Sequence, residues 1–147
     1  MKQILLVFGL LVSFSFQNFG QQATLPVNAA HDAAARAATE QLTAKYSLTA
    51  DQAKQMYTIQ MRKQRNFSEI EPLKASDPAK FELKTASIQK GTTGSIKRLL
   101  NNKEQIQLFQ KTQTEIRTLK AAKRKELLAK GMEKAAVETE LLKIYAE

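Results

Sequence analysis

The segment Leu48-Thr49-Ala50-Asp51-Gln52 constrains the fold of this chain more than any other. Thr followed three residues later by Gln can form a capping box. The hydroxyl accepts from a free backbone N–H of the first turn, and the Gln amide reaches back to the Thr N–H. Leu48 stands where a hydrophobic staple would. The cap is worth about 1 kcal/mol and commits the chain to a helix from Ala50. Apolar residues at Ala53, Met56, Ile59, Phe67 and Ile70, interrupted by Lys63, carry that helix to about Leu73. A second start signal follows in Leu100-Asn101-Asn102-Lys103-Glu104-Gln105. There Asn101 or Asn102 caps, and Glu104 or Gln105 closes the box. The helix beyond it places Ile106, Phe109, Ile116, Leu119, Ala122 and Leu127 on one stripe and ends or bends at Gly131.

The remaining segments read the same way. Asn28 caps an Ala-rich helix from about Ala29 to Lys45. In Ser76-Asp77-Pro78 a capping residue precedes Pro at a first helical position, and Phe81, Ile88, Ile96 and Leu99 follow at helical spacing. Gly91-Thr92-Thr93-Gly94-Ser95 interrupts that stretch. Each Gly costs about 1 kcal/mol relative to Ala in a helix interior, so a kink or frayed turn is expected there, with a full loop as the alternative. Met132 to Tyr145 gives a last amphipathic segment with Val137, Leu141, Leu142 and Tyr145. Alternating β-branched and aromatic runs are missing. The expected fold is all-α, with four or five helices in antiparallel hairpins. The helices are long and bent, and they form a thin cradle-like layer that dimerisation completes, because narrow apolar stripes leave one face uncovered.

The N-terminus reads as an export signal. Met1-Lys2 is a short positive region, and Ile4 to Phe16 is an apolar run of thirteen residues. That is too short for a bilayer core of about 30 Å. The expected organisation is a signal peptide over residues 1–20, a disordered tail over 21–28 and a single helical domain over 29–147. The mature protein is then periplasmic, with no integral membrane segment. The absence of Cys excludes disulfides and thiol chemistry. Residues 54–130 hold eighteen Lys/Arg against seven Asp/Glu, a surplus of +11, while residues 21–53 carry −1 and residues 131–147 carry −2. In the cytoplasm such a field would suit nucleic acid. Export argues against that partner and leaves unfolded acidic chains, anionic lipid or an acidic receptor.

No catalytic constellation stands out, and no cofactor or metal is implied. His31 is the only His. Gly91 to Ser95 lacks the order of a phosphate loop. Met56, Met61 and Met132 have no His or Cys beside them and read as packing. Glu69 and Glu71 face different sides of one helix.

The two paired start signals, in an exported, basic, Cys-free helical chain, resemble the LTxxQ-motif family of periplasmic helical proteins, the Spy/CpxP group. Leu48, Thr49 and Gln52 match the motif, and Leu100, Asn101 and Gln105 form a degenerate second copy in which Asn101 replaces Thr and one extra residue precedes Gln105. The resemblance covers roughly residues 45–128. It implies an antiparallel dimeric cradle and an ATP-independent chaperone that holds unfolded envelope proteins. It also implies, as an alternative, an accessory that damps a membrane stress sensor. Two mixed patches are the candidate client surface: Met61, Arg62, Lys63, Arg65 and Phe67, and then Leu119, Lys120, Lys123, Arg124 and Lys125. A Skp-like trimer built on strands, and membrane-surface binding through Lys120 to Lys125, are lesser readings.

Overall fold

The computed structural model describes residues 28–145; the expected leader and nearly all of the tail lie outside the described residues. The described residues form six α-helices and no strand: α1 (Ala29–Tyr46), α2 (Ala50–Ile70), α3 (Leu73–Ser76), α4 (Pro78–Leu99), α5 (Lys103–Ala129) and α6 (Lys134–Leu142). The fold is all-α, with one short turn, α3, added to five longer helices. Among the described residues no helix is long and apolar enough to cross a membrane.

Local chemistry sets the corners. Asn28 caps α1 by accepting from the Ala30 N–H at 2.9 Å. Ser47 ends α1 in the left-handed region at φ 49°, and the Ser47 and Leu48 N–H groups both donate to the Thr43 carbonyl. Thr49 opens α2 with a full capping box. The helix stops at Ile70 rather than at Leu73. Pro72 has no N–H to donate and its ring crowds the preceding turn, so the chain restarts as α3. Asp77 caps α4 by accepting from the Lys80 N–H at 3.0 Å, with Pro78 in the first turn.

The interruption expected at residues 91–95 does not occur: α4 runs unbroken from Pro78 to Leu99. Tertiary packing outweighs propensity here. Thr92 and Ser95 are buried, and the Ser95 hydroxyl donates to the Gly91 carbonyl at 2.9 Å. A Cβ built at Gly91 meets nothing within 4 Å. Gly91→Ala is therefore expected to stabilise the protein by about 1 kcal/mol, read as a rise of a few degrees in Tm by circular dichroism. Gly131→Ala should do the opposite, because Gly131 sits at φ +79°.

α1 and α2 pack as an antiparallel hairpin, and α2 packs antiparallel on α4. α5 turns back through Gly131 into α6, which touches both α5 and α4. Two apolar clusters result. The larger joins Leu42, Tyr46, Met56, Ile96, Leu99, Leu100 and Phe109, with Leu48 and Ile59 packed against it. The smaller joins Leu127, Val137 and Leu141, with Met132 and Ile144. The stripe expected on α5 is out of phase. Its buried residues are Gln105, Phe109, Thr112 and Leu127, while Ile106, Leu119 and Ala122 are exposed. Gln105 and Thr112 take core positions that a search for apolar residues passes over.

Candidate functional site

The two start signals meet in space. The Gln52 side-chain carbonyl accepts from the Thr49 N–H at 3.0 Å, and the Thr49 hydroxyl accepts from the Gln52 N–H at 3.2 Å. At the start of α5, Asn102 accepts from the Gln105 N–H at 2.8 Å, and the Gln105 carbonyl accepts from the Asn101 N–H at 3.2 Å. Asn102 is therefore the cap, and the cap-to-Gln spacing equals that of the first box. The structure corrects the expectation that Asn101 replaces Thr with an extra residue inserted. Asn101 takes the position of Leu48, and its side chain accepts from Gln52 Nε2 at 3.2 Å.

The two boxes also clasp one another. Gln52 Nε2 donates to the Leu99 carbonyl at 3.0 Å and lies 3.1 Å from Gln105 Oε1. Gln105 Nε2 lies 3.0 Å from Gln52 Oε1 and 3.4 Å from the Ser47 carbonyl. Gln52 and Gln105 are both buried. The clasp fixes the starts of α2 and α5 against the end of α4, beside the larger apolar cluster.

The residues expected to hold clients divide into those tied into the fold and those left outward. On α2, Met61 and Phe67 are half-buried. Arg62 donates to the Ser95 hydroxyl at 2.8 Å, and Arg98 donates to the same oxygen at 3.0 Å. Two guanidinium groups thus converge on one hydroxyl, with no carboxylate paired to either among the described residues. Lys63 Nζ stands 5.1 Å above the Tyr145 ring, a cation–π contact, and Arg65 faces Glu69 at 3.7 Å. On α5, Lys123 pairs with Glu126 at 3.0 Å and Arg124 with Glu138 at 2.9 Å. Lys120 is half-buried, Lys125 is exposed, and Leu119 is 58% exposed.

α6 and the residues just after it touch both patches, through Tyr145 on Lys63 and Glu138 on Arg124. Sequence reading missed a further mixed site. Lys97, Leu100, Ile106, Phe109, Gln110, Gln113 and Arg117 line a recess of about 200 Å³ near the α4–α5 corner. Its signal was present in the sequence, since Ile106, Gln110, Gln113 and Arg117 repeat along one helical face.

Charge elsewhere serves the fold. Hydrogen bonds from Arg36 and Tyr57 hold the Asp32 carboxyl below its ordinary range, and Asp32 in turn pushes the Tyr57 phenol up. Lys130 and Lys123 likewise hold Glu126 down. No group of three or more His, Cys, Asp or Glu among the described residues is placed to hold a metal ion. Compared with protein-family models, curated proteins and solved structures, the chain finds no match in any of the three.

Proposed function

We propose that this chain is exported to the periplasm and works there as an ATP-independent holding chaperone of the Spy/CpxP kind, capturing unfolded or acidic envelope proteins as a homodimer. The observation that carries this reading is large apolar side chains exposed on a body of strongly positive net charge. Leu83, Ile106, Leu108, Leu119 and Leu128 all reach solvent, on helices within the segment that bears +11. A positive field draws an acidic unfolded chain and raises its encounter rate about 10–10³-fold. The exposed leucines and the recess between Lys97 and Arg117 then hold its apolar segments. Folding of the client buries those segments and ends the interaction without nucleotide. The Arg62–Arg98 pair at Ser95 offers a carboxylate two donors at once.

The test is aggregation of a chemically denatured acidic client diluted into buffer with the purified mature protein. Suppression is expected at a few-fold molar excess. It should fade as salt rises, because exposed charges are screened beyond about 8 Å at physiological ionic strength. Unchanged aggregation at low salt sinks the reading. Light scattering on the same sample measures the mass and decides the dimer.

A second reading, an accessory to a membrane stress sensor, draws on the acidic C-terminal segment. It gains if the protein alters an envelope-stress reporter in cells but suppresses no aggregation in solution.

A further inference from the structure

We propose that the trough between α4 and α5 is a binding groove for acidic amphipathic segments, and that α6 is its resident intramolecular occupant. This rests on the capture reading above and names where capture happens and what competes with it.

α6 is helical because it is docked. It spans nine residues, and Glu133 gives it no side-chain cap. Isolated helices shorter than about 12–15 residues are marginal in water. What holds it is the pattern by which a groove recognises a helix. Val137, Leu141 and Ile144 recur at spacings of four and three, and Val137 and Leu141 are buried on Leu127. Polar contacts complete the docking. Gln89 Nε2 donates to the Leu142 carbonyl at 2.8 Å, the Tyr145 hydroxyl donates to the Gln89 carbonyl at 3.2 Å, and the Thr139 hydroxyl donates to Glu82 at 2.6 Å.

Charge marks the segment as a stand-in for a client. Residues 131–147 carry four acidic against two basic side chains, whereas residues 54–130 carry +11. Glu138 of α6 pairs with Arg124, and Tyr145 lies under Lys63. These contacts reach one basic residue from each of the two patches that sequence alone marks as client surface.

α6 fills the α4 side of the trough incompletely. An apolar recess of about 290 Å³ remains between the two helices, lined by Pro78, Phe81 and Thr85 of α4 and by Thr139 and Leu142 of α6. The Thr85 hydroxyl is buried there without a hydrogen-bond partner. With α6 displaced, a bulkier client segment fills this side of the trough and satisfies that hydroxyl. Gly131, in the left-handed region, is the point at which the chain turns back into the groove. Capture therefore requires α6 to leave, and its return helps expel the client.

Two experiments on the full chain test this. Because the chain has no Cys, Glu82→Cys with Thr139→Cys allows α6 to be bridged to α4 by a short bifunctional thiol reagent. Capture of a denatured acidic client is expected to be lost on bridging, because a tethered α6 leaves no fraction of the protein with an open groove. Equal capture by bridged and unbridged protein overturns the proposal while leaving the chaperone reading intact. The second experiment uses a labelled peptide of residues 132–147 in trans. It should bind Glu138→Arg, a surface change on the occupant alone, several-fold tighter than it binds the unaltered protein, and the gain should shrink with salt. Val137→Asp, which releases the apolar anchor, should give a larger gain. Equal binding to all three forms, or none, overturns the groove. Peptide binding without client capture by any form supports the groove and removes the chaperone reading.

Discussion

Replacing Met56 with alanine is expected to lower the free energy of unfolding by about 2–5 kcal/mol. Total stabilities of natural domains are about 5–15 kcal/mol, so the loss is a large share of what holds the chain folded. Met56 is 0% exposed and sits in the larger cluster with Leu42, Tyr46, Ile96, Leu99 and Phe109. Its truncation removes the side chain on which α1, α2, α4 and the start of α5 converge. A second cost adds to the cavity. Gln60 is fully buried, and its Nε2 donates to Met56 Sδ at 3.8 Å. Its Oε1 already lacks a partner. Alanine at position 56 therefore leaves a buried amide with neither donor nor acceptor satisfied, which places the loss toward the upper part of that range. Urea unfolding measures it as a shift in midpoint at constant slope. Leu119→Ala is the control: at 58% exposure its removal should leave the midpoint in place. A loss at Met56 no larger than at Leu119 would show that the cluster is not where the helices join.

The parts of this fold that are legible in the sequence are those whose cause is local. Thr49 with Gln52, and Asp77 with Pro78, satisfy or spare donors within one turn, so a few consecutive residues reveal each corner. Buried polar residues hide the rest. Gln52, Gln60, Thr85, Thr92, Ser95, Gln105 and Thr112 all lie inside. A search for apolar periodicity counts each as a surface position. On α5 this rotates the expected stripe onto Ile106, Leu119 and Ala122, which face water. On α4 the poor helix propensity of Gly and Thr marks Gly91 to Ser95 as a break, because the tertiary contacts that make Thr92 and Ser95 core residues belong to other helices. The candidate client surface suffers the same way. Both basic patches are visible as charge runs, but Lys63 and Arg124 acquire their partners from Tyr145 and Glu138, far along the chain.

The clasp between the capping boxes makes the second large prediction, and it concerns why both boxes end in Gln. For a single capping box Glu serves as well as Gln, because the box needs only an acceptor for the cap N–H. Here each amide must also donate, Gln52 Nε2 to the Leu99 carbonyl and Gln105 Nε2 toward the Ser47 carbonyl, with the two amides facing each other. Glu at either position keeps the cap and loses the donor. It also brings a carboxylate against a buried carbonyl. Gln52→Glu is thus expected to cost as much near neutral pH as Gln52→Ala, about 1–3 kcal/mol for buried groups left unpaired. The carboxyl of Gln52→Glu should titrate above the ordinary range, because burial and the facing oxygens disfavour its charge. Its protonated form regains a donor, so the deficit should shrink as the pH falls through that raised value. The alanine variant should show no such recovery. The double variant Gln52→Ala with Gln105→Ala should cost less than the sum of the singles, by a coupling of about 0.5–3 kcal/mol, because the second loss removes a group the first has already stranded. Strict additivity in urea unfolding, together with a harmless Gln52→Glu, would reduce the clasp to two independent helix caps, and the shared anchor of α2, α4 and α5 would have to lie elsewhere.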